Sequence, residues 1–232
     1  MLLNTRFIKI AFYLILVQIL SGCAGLSHSG SNDPRDPFES VNRSIFHFND
    51  EVDKAILKPL AVNYEKFFPE VVRKGVSNFF GNLSDLVTSI QHFLQLDFEK
   101  SSSSASRFFI NSTVGILGLR DVASGLGIPK TEEDFGQTFG SYGIKPGPYI
   151  VLPFFGPSTA RDGIGKVMDI LVDPFQTSVK NNPERFVGNS LRVIETRASL
   201  LSAEQAFEAL AFDRYVGVKN AYLANRKAKI DE

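Results

Sequence analysis

The segment GPYIVLPFFGPSTARD, Gly147–Asp162, restricts the fold of this chain more than any other. Residues 146–160 carry no charge, yet Pro148, Pro153 and Pro157 interrupt them. A proline inside a helix removes a backbone donor and clashes with the preceding turn, so no regular helix fits. A helix that crosses a bilayer needs roughly 20 apolar residues, so the run is also too short to span one. Hairpin-like or irregular structure is what remains. The segment is either a buried loop or edge strand, or, in a chain anchored to a membrane, a surface exposed to acyl chains.

Anchoring is indicated at the other end of the sequence. Arg6 and Lys9 precede an apolar run, Ile10–Leu20, which closes on Ser21, Gly22 and Cys23. A short basic and apolar segment ending in small residues is a secretory signal. LSGC resembles the bacterial lipobox, which implies cleavage before Cys23, a diacylglyceryl group on its sulfur and acylation of its new amino group. Cys23 is the only cysteine of the chain, so it has no disulfide partner here. One acyl chain holds a protein only marginally and stable anchoring takes more, which three chains supply. Ala24, rather than Asp, follows the cysteine and points to the outer membrane under the lipoprotein sorting rule. The expected organisation is a signal peptide over 1–22, a lipidated Gly/Ser/Pro-rich tether over 23–37, one helical domain over 38–226 and a polar tail over 227–232.

Within the domain, Phe38, Val41, Ile45, Phe48, Val52 and Ile56 recur at helical spacing and predict a helix that stops at Lys58-Pro59. A second helix is expected over 60–68. A third runs through Val72, Val76, Phe79 and Phe80, breaks near Gly81-Asn82, and resumes to Leu94. Ser101–Ser104 is either a loop or the polar start of a helix leading into Arg107. Helices return at Arg161, break at Asp173-Pro174, and continue from Pro183. The fold class is mostly α with a Gly/Pro-rich, hairpin-like central segment.

The chemistry of known enzyme motifs is missing from the sequence. There is no G-x-S-x-G elbow and no phosphate loop, since Ala160 stands where the first glycine of such a loop belongs. His28, His47 and His92 lack metal-ligand spacing, so neither a catalytic nor a metal site is assigned. Glu132-Glu133-Asp134 reads as a turn or a helix start. Lys+Arg and Asp+Glu balance at 25 each, which gives no broad attraction to nucleic acid. Phenylalanine is abundant at 21 residues, suiting a core or a surface that meets lipid tails. Arg107 and Arg120 bracket the uncharged residues 108–119, either as the charged ends of a core helix or as guanidinium groups reaching headgroup level.

Several segments together resemble the MlaA (VacJ) family of lipoproteins: DPFESVNRSIFHFNDEVDKAILKPLAVNY, VRKGVSNFFGNL, RFFINSTVGILGLRDVAS, EDFGQTFGSYGIKPGPYIVLPFFGPSTARDG and IETRASLL. The resemblance runs from about Asp36 to about Arg226. It implies a ring-shaped, mostly helical lipoprotein embedded in the outer membrane of a Gram-negative bacterium, with an amphipathic channel through it. The implied role is to remove phospholipids from the outer leaflet beside a trimeric porin and pass them to a periplasmic carrier of the MlaC type. Lipid asymmetry would be maintained with no cofactor beyond the acyl groups on Cys23, and without catalysis. Phe48, Ile150, Leu152, Phe154 and Phe155 are then candidates for the lipid path, and Arg107 and Arg120 for headgroup contact. Val41–Asn49 matches the family's early helix, which borders the ring. An envelope phospholipase and a purely structural porin-associated scaffold are the competing readings.

Overall fold

Helix α1 (Glu39–Val52) forms where the apolar period predicts it. The expected stop at Lys58-Pro59 does not occur. A π-helical turn, Asp53–Leu57, leads straight into α2 (Lys58–Phe67), with Pro59 in the first turn of α2. A proline lacks the N–H that a first helical turn leaves unpaired anyway, so the wide turn absorbs it. The computed structural model describes residues 33–208 and 213–231; the signal peptide, Cys23 and residues 24–32 of the tether lie outside the described residues.

The break expected at Gly81 is also absent. Helix α3 (Glu70–Leu94) runs through it without interruption. A glycine costs a helix about 1 kcal/mol relative to alanine, and neighbouring side chains offset this. Asn82 Nδ2 donates to Ser112 Oγ at 2.9 Å, and Asp85 pairs with Arg107 at 3.2 Å. Helix α4 (Phe98–Thr113) begins at an Asp97 cap whose side chain accepts from Lys100 N–H, so the serine run is its polar first half. Ser101 and Ser89 exchange hydroxyl-to-carbonyl bonds of 2.9 Å across the α3–α4 seam. Small residues there let the two backbones approach closely.

A one-turn helix α5 (Val122–Gly125) and a short α6 (Phe135–Ser141), capped by Asp134, lead to the central segment. The segment is a hairpin, as its turn residues predict: β1 (Tyr149–Leu152) pairs antiparallel with β2 (Gly156–Thr159), Tyr149 opposite Thr159 and Leu152 opposite Gly156. Helices α7 (Ala160–Val172), α8 (Pro174–Ser178), α9 (Asn182–Ser199), α10 (Leu201–Glu208) and α11 (Arg214–Asp231) follow. Asp173 caps α8 and separates it from α7, which accounts for the break read at Asp173-Pro174.

Packing closes on itself. Helix α1 lies on β1, β2 on α11, α11 on α6, α6 on α3, α3 on α9, α9 on α2, and α2 returns to α1 through the π turn. This circuit is the ring, with α4 flanking it on α3. Two small apolar clusters sit in its wall. One joins Ala61 and Tyr64 of α2 to Ala198 of α9; the other joins Tyr149 and Val151 to Tyr215 of α11.

The described residues at either end have tertiary partners that their composition does not suggest. The tether was expected to run to Pro37, but Asp36 is 1% exposed and accepts from Asn42 Nδ2, Tyr215 Oη and Lys219 Nζ. The polar tail expected over 227–232 is helical through Asp231; Lys229 reaches Glu132 at 3.5 Å and Ile230 lies against Gly140. Local polarity did not foresee these tertiary partners.

Candidate lipid path

The hairpin is held by two asparagines of α1. Asn42 Oδ1 accepts from Val151 N–H at 2.9 Å, while its Nδ2 donates to the Tyr149 carbonyl at 3.0 Å. Two helical turns later, Asn49 Oδ1 accepts from Phe154 N–H at 2.8 Å and its Nδ2 donates to the Leu152 carbonyl at 2.9 Å. An i, i+7 pair lies on one helix face, so the two amides stand in for a third strand along the open edge of β1. The second clamp fixes the turn, where Phe154 takes the left-handed backbone conformation with φ +65°.

Between α1, β2, α9, α10 and α11 lies an amphipathic cavity of about 600 Å³. One wall is ionic: Arg197 bridges Asp53 at 2.7 Å and Glu204 at 2.5 Å, and Arg214 reaches Asp50 and Glu204. The other wall is formed by Phe46, Pro157, Leu200 and Val218. Each charge on the ionic wall has a partner, so the wall is polar without a strong net field. A further latch closes the ring where α11 meets α6 and α7. Arg226 makes bonds of 2.6 and 2.8 Å to Asp134 and of 3.0 Å to Asp162. Burial opposes ionisation of Asp162, yet the bonds from Arg226, Tyr222 and Arg161 hold its carboxyl down to about 2.

The residues expected along the lipid path separate into groups. Ile150 and Leu152 share one strand face, as alternation predicts, but that face is half-buried and packs over Gly163 of α7. Phe154 and Phe155 are exposed at the turn, at 71% and 56%. Phe48 is 46% exposed and meets Phe154 edge-on, ring centres 5.3 Å apart. None of these five lines the 600 Å³ cavity; Phe46 and β2 residues Gly156 and Pro157 do. Cys23, the expected lipid attachment point, lies outside the described residues.

Arg107 is not available to a headgroup. It is 1% exposed, and its donors are used by Asp85, Asp121 at 3.0 Å, Ser124 and the Ile128 carbonyl at 2.7 Å. The other reading of the pair, a core helix with charged ends, does not hold either: α4 stops at Thr113, and Phe109, Val114, Ile116 and Leu117 between the two arginines are exposed. Arg120 is exposed. Sequence reading missed Asn42, Asn49, Arg197 and Arg226. The one available signal was the spacing of Asn42 and Asn49 beside the apolar stripe of α1.

Polarity across the fold is inverted. Among the described residues, the fully buried set holds Asp85, Gln91, Ser104, Arg107 and Thr159, whereas large apolar side chains stand outside. On α3, α4 and their loops, Val71, Phe93, Leu96, Phe109, Ile116 and Leu117 are all more than half exposed. Water would penalise such a surface; acyl chains would not. Where the surroundings are as apolar as leucine, helices associate through small residues and hydrogen bonds, which is how α3 and α4 meet. No described helix is long and apolar enough to cross a membrane.

A mostly helical ring with an amphipathic cavity, polar seams and an apolar exterior defines a lipid-handling class. The profile of the MlaA lipoprotein family matches residues 34–229, and the chain belongs to this family. It is 36% identical over 209 residues to the intermembrane phospholipid transport system lipoprotein MlaA of Escherichia coli strain K12, covering 88% of this chain and 81% of that one. An uncharacterized Rickettsia conorii protein is 35% identical over 92% of this chain and 85% of its own. A solved structure described as the structural basis for maintenance of bacterial outer membrane lipid asymmetry superposes with a TM-score of 0.72 at 34% identity. It covers 84% of this chain and 98% of that chain.

Proposed function

We propose that this chain is a lipoprotein of the Gram-negative outer membrane that removes phospholipids from the outer leaflet and passes them to a periplasmic carrier. The inverted polarity carries the reading: an apolar exterior suits acyl chains, and an amphipathic cavity suits a molecule with a polar head and apolar tails. The relatives named for intermembrane phospholipid transport support the same role. Cys23 is the anchor through its N-acyl and S-diacylglyceryl groups, a trimeric porin flanks the ring, and an MlaC-type carrier receives the lipid. The chain acts as a conduit and breaks no bond.

The purified lipoprotein, incubated with fluorescent phospholipid vesicles and a periplasmic carrier, tests this. Intact labelled lipid on the carrier supports the conduit. Release of labelled fatty acid overturns it in favour of a hydrolase, and neither lipid nor product leaves only the scaffold.

A further inference from the structure

A second, smaller cavity of about 380 Å³ opens between α3, the loop before α6, α9 and α11. On α11, Lys229 lines this cavity and Asn225, one turn earlier, lines the 600 Å³ one. The small cavity is polar almost throughout, so it does not suit acyl chains.

Its charges do not cancel. Arg192 is used by Asp173, Lys229 by Glu132, and Asp134 by Arg226. Three charged groups remain without an ion-pair partner among the described residues: Lys130, Glu133 and Glu195. The Lys130 ammonium lies over Gly81, only 2.7 Å from where a Cβ would stand, so the glycine leaves room for it. Glu133 receives amide donors from Gln95 at 3.0 Å and Gln137 at 2.8 Å, but no cation. Burial pushes its carboxyl above the ordinary range.

An independent sign of a missing donor comes from Gln137. It is 2% exposed and lines this cavity, and its Oε1 has no partner. Its amide is not reversed, because Nε2 donates to both the Glu132 carbonyl and Glu133. That oxygen is itself sealed from the cavity, so it marks an under-satisfied polar end of it and not a ligand contact.

We propose that this cavity selects the headgroup of the transported lipid and prefers a zwitterionic phosphoethanolamine. Lys130 takes the phosphate, and Glu133 and Glu195 take the ammonium. A glycerol headgroup presents the same phosphate but no cation, so it leaves both carboxylates unpaired. The inference rests on the conduit reading and adds specificity to it.

The test is competition. The full lipoprotein is equilibrated with vesicles of equal phosphatidylethanolamine and phosphatidylglycerol, and bound lipid is quantified by mass spectrometry. Enrichment of phosphatidylethanolamine by roughly fivefold is expected, the ratio set by about 1 kcal/mol from one partly exposed ion pair. Glu133→Gln with Glu195→Gln should bring the ratio towards unity while total lipid persists. The single Glu195→Gln change should move it part of the way should the double variant fail to fold. Lys130→Gln should lower both lipids together. Equal binding of the two lipids by the unaltered protein overturns the selectivity, as does an unchanged ratio in a folded carboxylate variant. Absence of any bound phospholipid overturns the conduit reading beneath it.

Discussion

Replacing Asn42 with alanine should loosen the hairpin from the ring. Asn42 is 2% exposed and makes three hydrogen bonds, two to β1 and one, at 2.8 Å, to Asp36. Its removal orphans the Val151 N–H and the Tyr149 carbonyl. Each buried orphan costs about 1–3 kcal/mol, so the sum is about 2–5 kcal/mol after partial relaxation. For a domain of this size 1 kcal/mol moves the melting midpoint by roughly 2–4 °C, which predicts a fall of roughly 4–20 °C. The assay is thermal unfolding in detergent followed by circular dichroism. Asn42→Asp is the companion variant. It keeps the acceptor for Val151 but sets a second carboxylate against Asp36, so it should be at least as damaging. Should Asn42→Ala melt with the unaltered protein, the open edge of β1 is held by something other than this amide.

Phe48→Ala should cost roughly 1–2 kcal/mol, less than the roughly 3–5 kcal/mol of a buried phenylalanine, because the ring is 46% exposed; a loss above 3 kcal/mol in a detergent melt would contradict that placement. Val218→Asp puts a carboxylate on the apolar wall of the 600 Å³ cavity and should raise surface phospholipid at normal protein level, whereas Leu152→Asp, packed over Gly163, should lower the melting midpoint instead; a reversal of the two phenotypes would return the lipid path to β1. Burial raises the Asp169 carboxyl to about 6 even though Phe135 N–H donates to it. The native state therefore keeps this proton where the unfolded chain has lost it, and stability falls as pH rises from about 4 to about 6. Asp169→Asn should raise the midpoint more at pH 7.5 than at pH 4.5, and an equal shift at both would refute the assignment. Cys23→Ser should abolish palmitate incorporation in labelled cells, and label retained by that variant would refute the anchor.

Much of the local structure was legible, because caps and turns are short-range. Asp134, read as part of a turn or helix start, and Asp173, read as a break, each begin a helix with a side-chain bond to the backbone, and the prolines and glycines of 146–160 fold into the hairpin their types predict. The two false breaks share one cause. Pro59 and Gly81 weaken a helix locally, but a π turn and the Asn82 and Asp85 contacts keep the chain helical. What sequence periodicity could not supply was the direction of each face. It marks an apolar stripe on α3 without saying whether that stripe meets protein or lipid. In the structure Asp85, Gln91 and His92 turn inward while Ile90 and Phe93 turn out. The site depends on residues far apart in sequence, Asn42 with Val151 or Arg226 with Asp134, and no local pattern announces such pairs.

Directional bonds suit a ring that must stay open. A ring closed by apolar packing would gain by collapsing, since every filled void removes apolar surface from water. In lipid that gain vanishes, because an outward-facing leucine is already solvated by acyl chains. Geometry then has to come from groups with fixed partners. Arg107 ties α3 to α4 and the α5 loop, Arg197 ties α9 to the π turn, and Arg226 ties α11 to α6 and α7. Each arginine has a rigid fork that two carboxylates can hold in only a few orientations. Arg107 and Asp85 form a fully buried pair, and breaking such a pair by removing one partner costs about 3–5 kcal/mol; the partly buried Arg197 and Arg226 pairs cost less but resist sliding in the same way. On the ionic wall of the 600 Å³ cavity the same pairing leaves a headgroup no free charge to meet.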